Sequence, residues 1–100
     1  MAMKKRYIFM LIALTALAAT GHADAACYGD YKAKQDNPLR LHYGVIELPD
    51  AACDDPSLAR AEIKARIAVD NWHLLNILSV FGKNGLKNRK ESAGQFFLRF

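Results

Sequence analysis

Trp72-His73-Leu74-Leu75-Asn76-Ile77-Leu78-Ser79-Val80-Phe81 is the stretch whose conformation decides the fold. One alternating set is Trp72, Leu74, Asn76, Leu78 and Val80; the other is His73, Leu75, Ile77, Ser79 and Phe81. Both sets are largely apolar. That pattern fits a strand covered on two sides, or a helix running on past Asn71. The β-branched and aromatic content and the Gly82 stop favour a strand over 72–81.

Upstream, residues 56–70 read as a helix. Ala59, Ile63 and Ile67 stack at i, i+4 and i+8, with Ala61, Ala65 and Ala68 nearby and Arg60, Lys64 and Arg66 toward the other side. Asp55-Pro56 supplies a capping carboxylate and a first-turn proline that loses no needed donor. Asp50, Asp54 and Asp55 sit by the positive helix end, which explains them without a metal. Asn71 can take the left-handed conformation that stops a helix. Before the helix, residues 39–48 alternate, with Leu39, Leu41, Tyr43 and Val45 on one face, and predict a strand ended by Pro49-Asp50.

Downstream, residues 82–94 are polar, basic and carry the Asn84-Gly85 turn signal. Gln95–Phe100 alternates again and predicts a closing strand with Phe96, Leu98 and Phe100 on one face. Residues 26–38, ending in the Asp36-Asn37-Pro38 turn, read as an irregular N-terminal arm. The expected fold is therefore α+β: a small two-layer βαββ domain over 39–100, one helix packed on a three-stranded mixed sheet. The strands 39–48 and 72–81 should be parallel and the last two antiparallel, with the C-terminal strand leaning toward the middle position.

Residues 1–25 read as a cleaved signal peptide. Lys4-Lys5-Arg6 is followed by the uncharged run Tyr7–Ala19, then by Ala23 and Ala25 in the small-residue cleavage pattern. The run is shorter than the roughly 20 residues a bilayer span needs. The expected location is the bacterial periplasm or the exterior. Loss of Lys4, Lys5, Arg6 and Asp24 lowers the formal charge from +4 to +2. Neither that balance nor the compartment suggests a nucleic-acid partner.

Cys27 and Cys53 are the two cysteines, and an even count in a small exported domain favours a disulfide. Lipid attachment at Cys27 is the rival, but Asp24 stands where such a motif wants an apolar residue, and no stable membrane anchor is expected.

The stretch Asp70–Val80 and the closing Phe96-Phe97-Leu98-Arg99-Phe100 resemble the DUF4177-like small βαββ domains. Asn71 stands where that family has glycine, and the 82–94 loop and the cysteines have no counterpart in it. The chain also resembles small exported proteins of alphaproteobacteria. The resemblance implies a fold and no reaction.

Candidate sites are few. His42 and His73 are expected on the sheet face away from the helix; two imidazoles without a placed carboxylate make a poor metal site. No nucleophile elbow or glycine-rich phosphate loop is present. Catalytic residues, cofactors and metals are therefore not assigned. Lys83, Lys87, Arg89 and Lys90 are candidate anion binders. Leu75, Ile77, Phe81 and Phe97 are in excess of what one helix can cover, so they are interface candidates for a homodimer or a protein partner, unless Tyr28 and Tyr31 of the arm cover them. The expected function is a non-enzymatic binding or self-association module. The alternative is a small periplasmic metal-dependent or hydrolytic enzyme using His42 or His73.

Overall fold

The computed structural model describes residues 27–100. The expected signal peptide and its cleavage site lie outside the described residues. Three strands, β1 (Cys27–Gln35), β2 (Arg40–Leu48) and β3 (His73–Phe81), form one sheet. The main helix, α1 (Pro56–Ile67), precedes β3, and a single helical turn, α2 (Lys90–Ala93), follows it. The class is α+β, as expected. The element order is ββαβ rather than βαββ.

Segment 72–81 is a strand, and a left-handed Asn71 (φ 66°) separates it from the helix. Helix α1 starts where expected: the Asp55 carboxylate accepts from the Leu58 amide at 3.1 Å, and Pro56 occupies the first turn. Ala59, Ile63 and Ile67 are the buried side chains of the helix. They meet Tyr31, Ile46 and Leu48 of the sheet in the core.

The N-terminal arm corrects the expectation most. Cys27–Gln35 is the central strand, antiparallel to both neighbours in the order β2-β1-β3. The sheet is therefore antiparallel, not mixed. β2 and β3 run in the same direction without touching, as a middle strand requires, but β1 takes the place expected for the C-terminal segment. Its buried face is Cys27, Gly29, Tyr31 and Ala33, residues of weak strand signal. Smallness is what that face needs. A Cβ on Gly29 would stand 3.3 Å from Leu48 Cδ1, and one on Gly44 would stand 2.6 Å from Tyr31 Cζ. The Tyr31 ring thus lies across Gly44 in the adjacent strand.

The phase of β2 is also the reverse of the expected one. The buried alternating set is His42, Gly44, Ile46 and Leu48, whereas Leu39 and Leu41 are 64% and 65% exposed.

The C-terminal segment is no strand. It makes a 3-10 turn at Gly94–Phe96 and one parallel bridge from Phe97 to Val45, where the Leu98 amide donates to the Val45 carbonyl at 2.8 Å. Positive φ at Gly94 and Leu98 prevents a continuous ladder. The segment instead straps the outer edge of β2. Arg66 of α1 holds it from the helix side by donating to the carbonyl oxygens of Glu47 (2.7 Å) and Phe100 (2.6 Å).

Cys27 and Cys53 are joined, with Cα atoms 5.9 Å apart. The bridge ties the first residue of the central strand to the connection before α1. Its sulfur is therefore not free to carry a lipid.

Candidate functional site

β3 is an edge strand, and none of its nine residues is buried. Two register shifts against β1 explain why both of its alternating sets are apolar. Tyr31 pairs with Ile77 but Asp30 with Ser79, and Lys32 pairs with Asn76 but Ala33 with Leu74. Leu78 and Leu75 are therefore extra residues with no partner across the ladder. Leu75, Leu78 and Val80 are 44%, 46% and 39% exposed. No Lys, Arg, Asp or Glu occurs from Asn71 through Gly82. Charged side chains are one protection of an open edge, and β3 has none; its two bulges are the protective device it does carry. Beside it, Ala52, Cys53, Pro56, Ala59, Ile77 and Val80 line a groove of about 360 Å³ next to the disulfide.

The other interface candidates lie elsewhere. Phe81 stacks on Tyr28 with ring centroids 6.1 Å apart and carries the Arg89 guanidinium at 3.9 Å. Phe97 is at the far edge of the sheet, bridged to Val45 of β2. Leu75 and Ile77 belong to the β3 edge; Phe97 does not share a patch with them.

A polar cluster closes the second sheet face, which the sequence had suggested was apolar. Asp30, 5% exposed, accepts from Ser79 Oγ (2.7 Å), Tyr43 Oη (2.8 Å) and Arg89 Nε (3.0 Å). Burial alone would raise its carboxyl pKa. The three hydrogen bonds and the Arg89 charge outweigh burial and hold it below the usual value. Tyr43 is pushed up to about 12 by burial and by the Asp30 carboxylate. Arg89 also donates to the Gly85 carbonyl at 2.8 Å. The 82–94 segment is therefore an anchored flap, not a solvated loop. Of the four anion candidates, Arg89 is engaged in this anchor. Lys87 and Lys90 share a shallow recess with Glu91 and Phe97, while Lys83 is exposed at the start of the segment.

The histidines are not brought together. Ala33 faces His42 across one ladder and Lys34 faces His73 across the other, so the two imidazoles lie on opposite sheet faces. His73 is exposed. His42, expected on the exposed face, is 8% exposed beneath the strap. Its ring stacks on Phe96 at 3.6 Å and meets Trp72 edge-on at 4.2 Å. Nε2 is 3.0 Å from Tyr31 Oη, and Nδ1 has no partner in either tautomer. Burial, helped by the Arg99 charge, lowers its pKa to about 4, so the ring is neutral at neutral pH. Burial raises Tyr31 to about 12. Among the described residues, no group of three or more His, Cys, Asp or Glu side chains is placed to hold a metal ion.

No protein-family model, curated protein or solved structure matches this chain.

Proposed function

We propose that the protein is exported and acts without catalysis, by self-association through the open edge of β3. The supporting observation is a nine-residue edge strand with no buried residue and no formal charge, carrying Leu75, Leu78 and Val80 in water. Each such side chain left exposed forgoes on the order of 1.5–3 kcal/mol of burial. A second copy is the simplest occupant. Two antiparallel edges related by a two-fold axis satisfy one another's backbone groups, and one apolar surface is used twice. Export is supported by the Cys27–Cys53 bridge, which persists in an oxidising compartment. No helix of the described residues is long and apolar enough to cross a membrane. The placement of His42 and His73 on opposite faces lends no support to a histidine-based enzyme.

Sedimentation equilibrium of the disulfide-bonded protein tests the reading. A dimer that becomes monomeric in the Leu75→Lys/Leu78→Lys variant is the expected result. Both positions are exposed, so the monomer should retain the wild-type circular dichroism. A wild-type protein that stays monomeric at millimolar concentration would overturn it.

A further inference from the structure

A second site lies at the end of the sheet away from the disulfide. The end of β1, the start of β2, the turn between α1 and β3 and the C-terminal strap converge there around a cleft of about 460 Å³. The cleft is open to solvent and its walls are mostly polar. Arg40 and Arg99 stand on its walls. Arg40 makes no ion pair among the described residues, and Arg99 reaches only Asp70, at 3.5 Å between exposed groups. Both guanidiniums are positioned by aromatic rings of one cluster. Arg40 lies 5.8 Å from the Trp72 centroid and Arg99 5.8 Å from that of Phe96. Cation–π contact holds a guanidinium in place without consuming its hydrogen bonds, so the Arg40 fork remains available to a ligand, while Arg99 spends one N–H on a long, exposed bond to Asp70 that a ligand carboxylate can replace.

The remaining walls narrow the chemistry. Asn71 and Gln95 offer side-chain amides, each able to donate to and accept from neighbouring hydroxyls. Asp70 offers an acceptor for hydroxyl donors, and its negative charge penalises a compact dianion. The Asp70 backbone is itself fixed, because Gln35 Nε2 donates to its carbonyl at 2.9 Å. We propose that this cleft binds a small sugar acid, its carboxylate taken by Arg40 and Arg99 and its hydroxyls by Asp70, Asn71 and Gln95. The site is separate from the β3 edge and does not depend on self-association.

Trp72 fluorescence and amide chemical shifts of the disulfide-bonded protein, titrated with glucuronate, glucose and inorganic phosphate, test the proposal. Glucuronate should give a saturable change at millimolar concentration, with shifts confined to Asn71, Trp72, Gln95 and Arg99. Glucose and phosphate should each bind at least tenfold more weakly, since one lacks the carboxylate and the other the ring hydroxyls. Arg40→Gln and Arg99→Gln should each weaken glucuronate about tenfold, with the thermal midpoint preserved. Three results would overturn the proposal: no saturable response to glucuronate, an equal response to phosphate, or unchanged affinity in the Arg40→Gln/Arg99→Gln double variant.

Discussion

His42 gives one residue two opposing roles. Neutral, it packs between Phe96 and Trp72 and satisfies Tyr31 Oη. Protonated, it would place a charge in a buried site that already feels the positive charge of Arg99. Its folded pKa of about 4 lies below the unfolded value of 6.5, so the unfolded chain binds the proton more readily. Stability should be independent of His42 above pH 6.5, fall as pH drops from 6.5 through 4, and level off below. At about 1.4 kcal/mol per pKa unit the loss is on the order of 3–4 kcal/mol. Urea unfolding across this range measures it. His42→Leu should flatten the profile there while lowering stability at neutral pH, where Tyr31 Oη loses its partner. Asp30 acts in a different window. Its carboxyl lies below the usual 3.8, so its contribution is retained above that value and lost under stronger acid. Arg89→Ala should cost on the order of 2–3 kcal/mol, by removing one charge-assisted hydrogen bond from a buried carboxylate that keeps those of Ser79 and Tyr43. Faster proteolysis within 82–94 should accompany the loss.

At the scale of elements, the legible parts were those with a strong periodic signal or local punctuation. Helix α1 was readable from Asp55-Pro56, the Ala59/Ile63/Ile67 stripe and the Asn71 stop. β2 and β3 were readable from alternation and from Pro49 and Gly82. β1 was hidden because its inward face needs small residues where Tyr31 lies flat and α1 comes close, and Gly29 and Ala33 carry no hydrophobic signal. Misreading β1 as an arm made the Phe96–Phe100 alternation look like the missing strand. Those phenylalanines instead close over His42, which a period-2 pattern cannot distinguish from sheet packing. The Asp30 cluster was out of reach because its members, Asp30, Tyr43, Ser79 and Arg89, are united only by the β2-β1-β3 order. The β3 edge yields its own prediction. If two copies pair there, the outward amides of β3 should exchange hydrogen more slowly as protein concentration rises, while those of α1 should not change beyond the global shift. Hydrogen-exchange NMR at two concentrations measures the difference.

For the whole molecule, the disulfide determines how load travels. Cys27 begins the central strand, and Cys53 lies just before α1. Tension applied between Cys27 and Phe100 crosses the sulfur bridge directly. The β1–β2 hairpin is thereby removed from the load path, and only the chain beyond Cys53 can be drawn out. Unfolding under force should therefore release less length from the oxidised molecule than from the reduced one. The separation of 26 residues between the cysteines, at about 3.5 Å per residue, makes the shortfall about 90 Å. Single-molecule pulling with and without reductant reads this length directly. A tether on the N-terminal side would leave the hairpin slack while α1, β3 and the flap bore the strain, so the bridge serves as a mechanical bypass around the two strands it encloses.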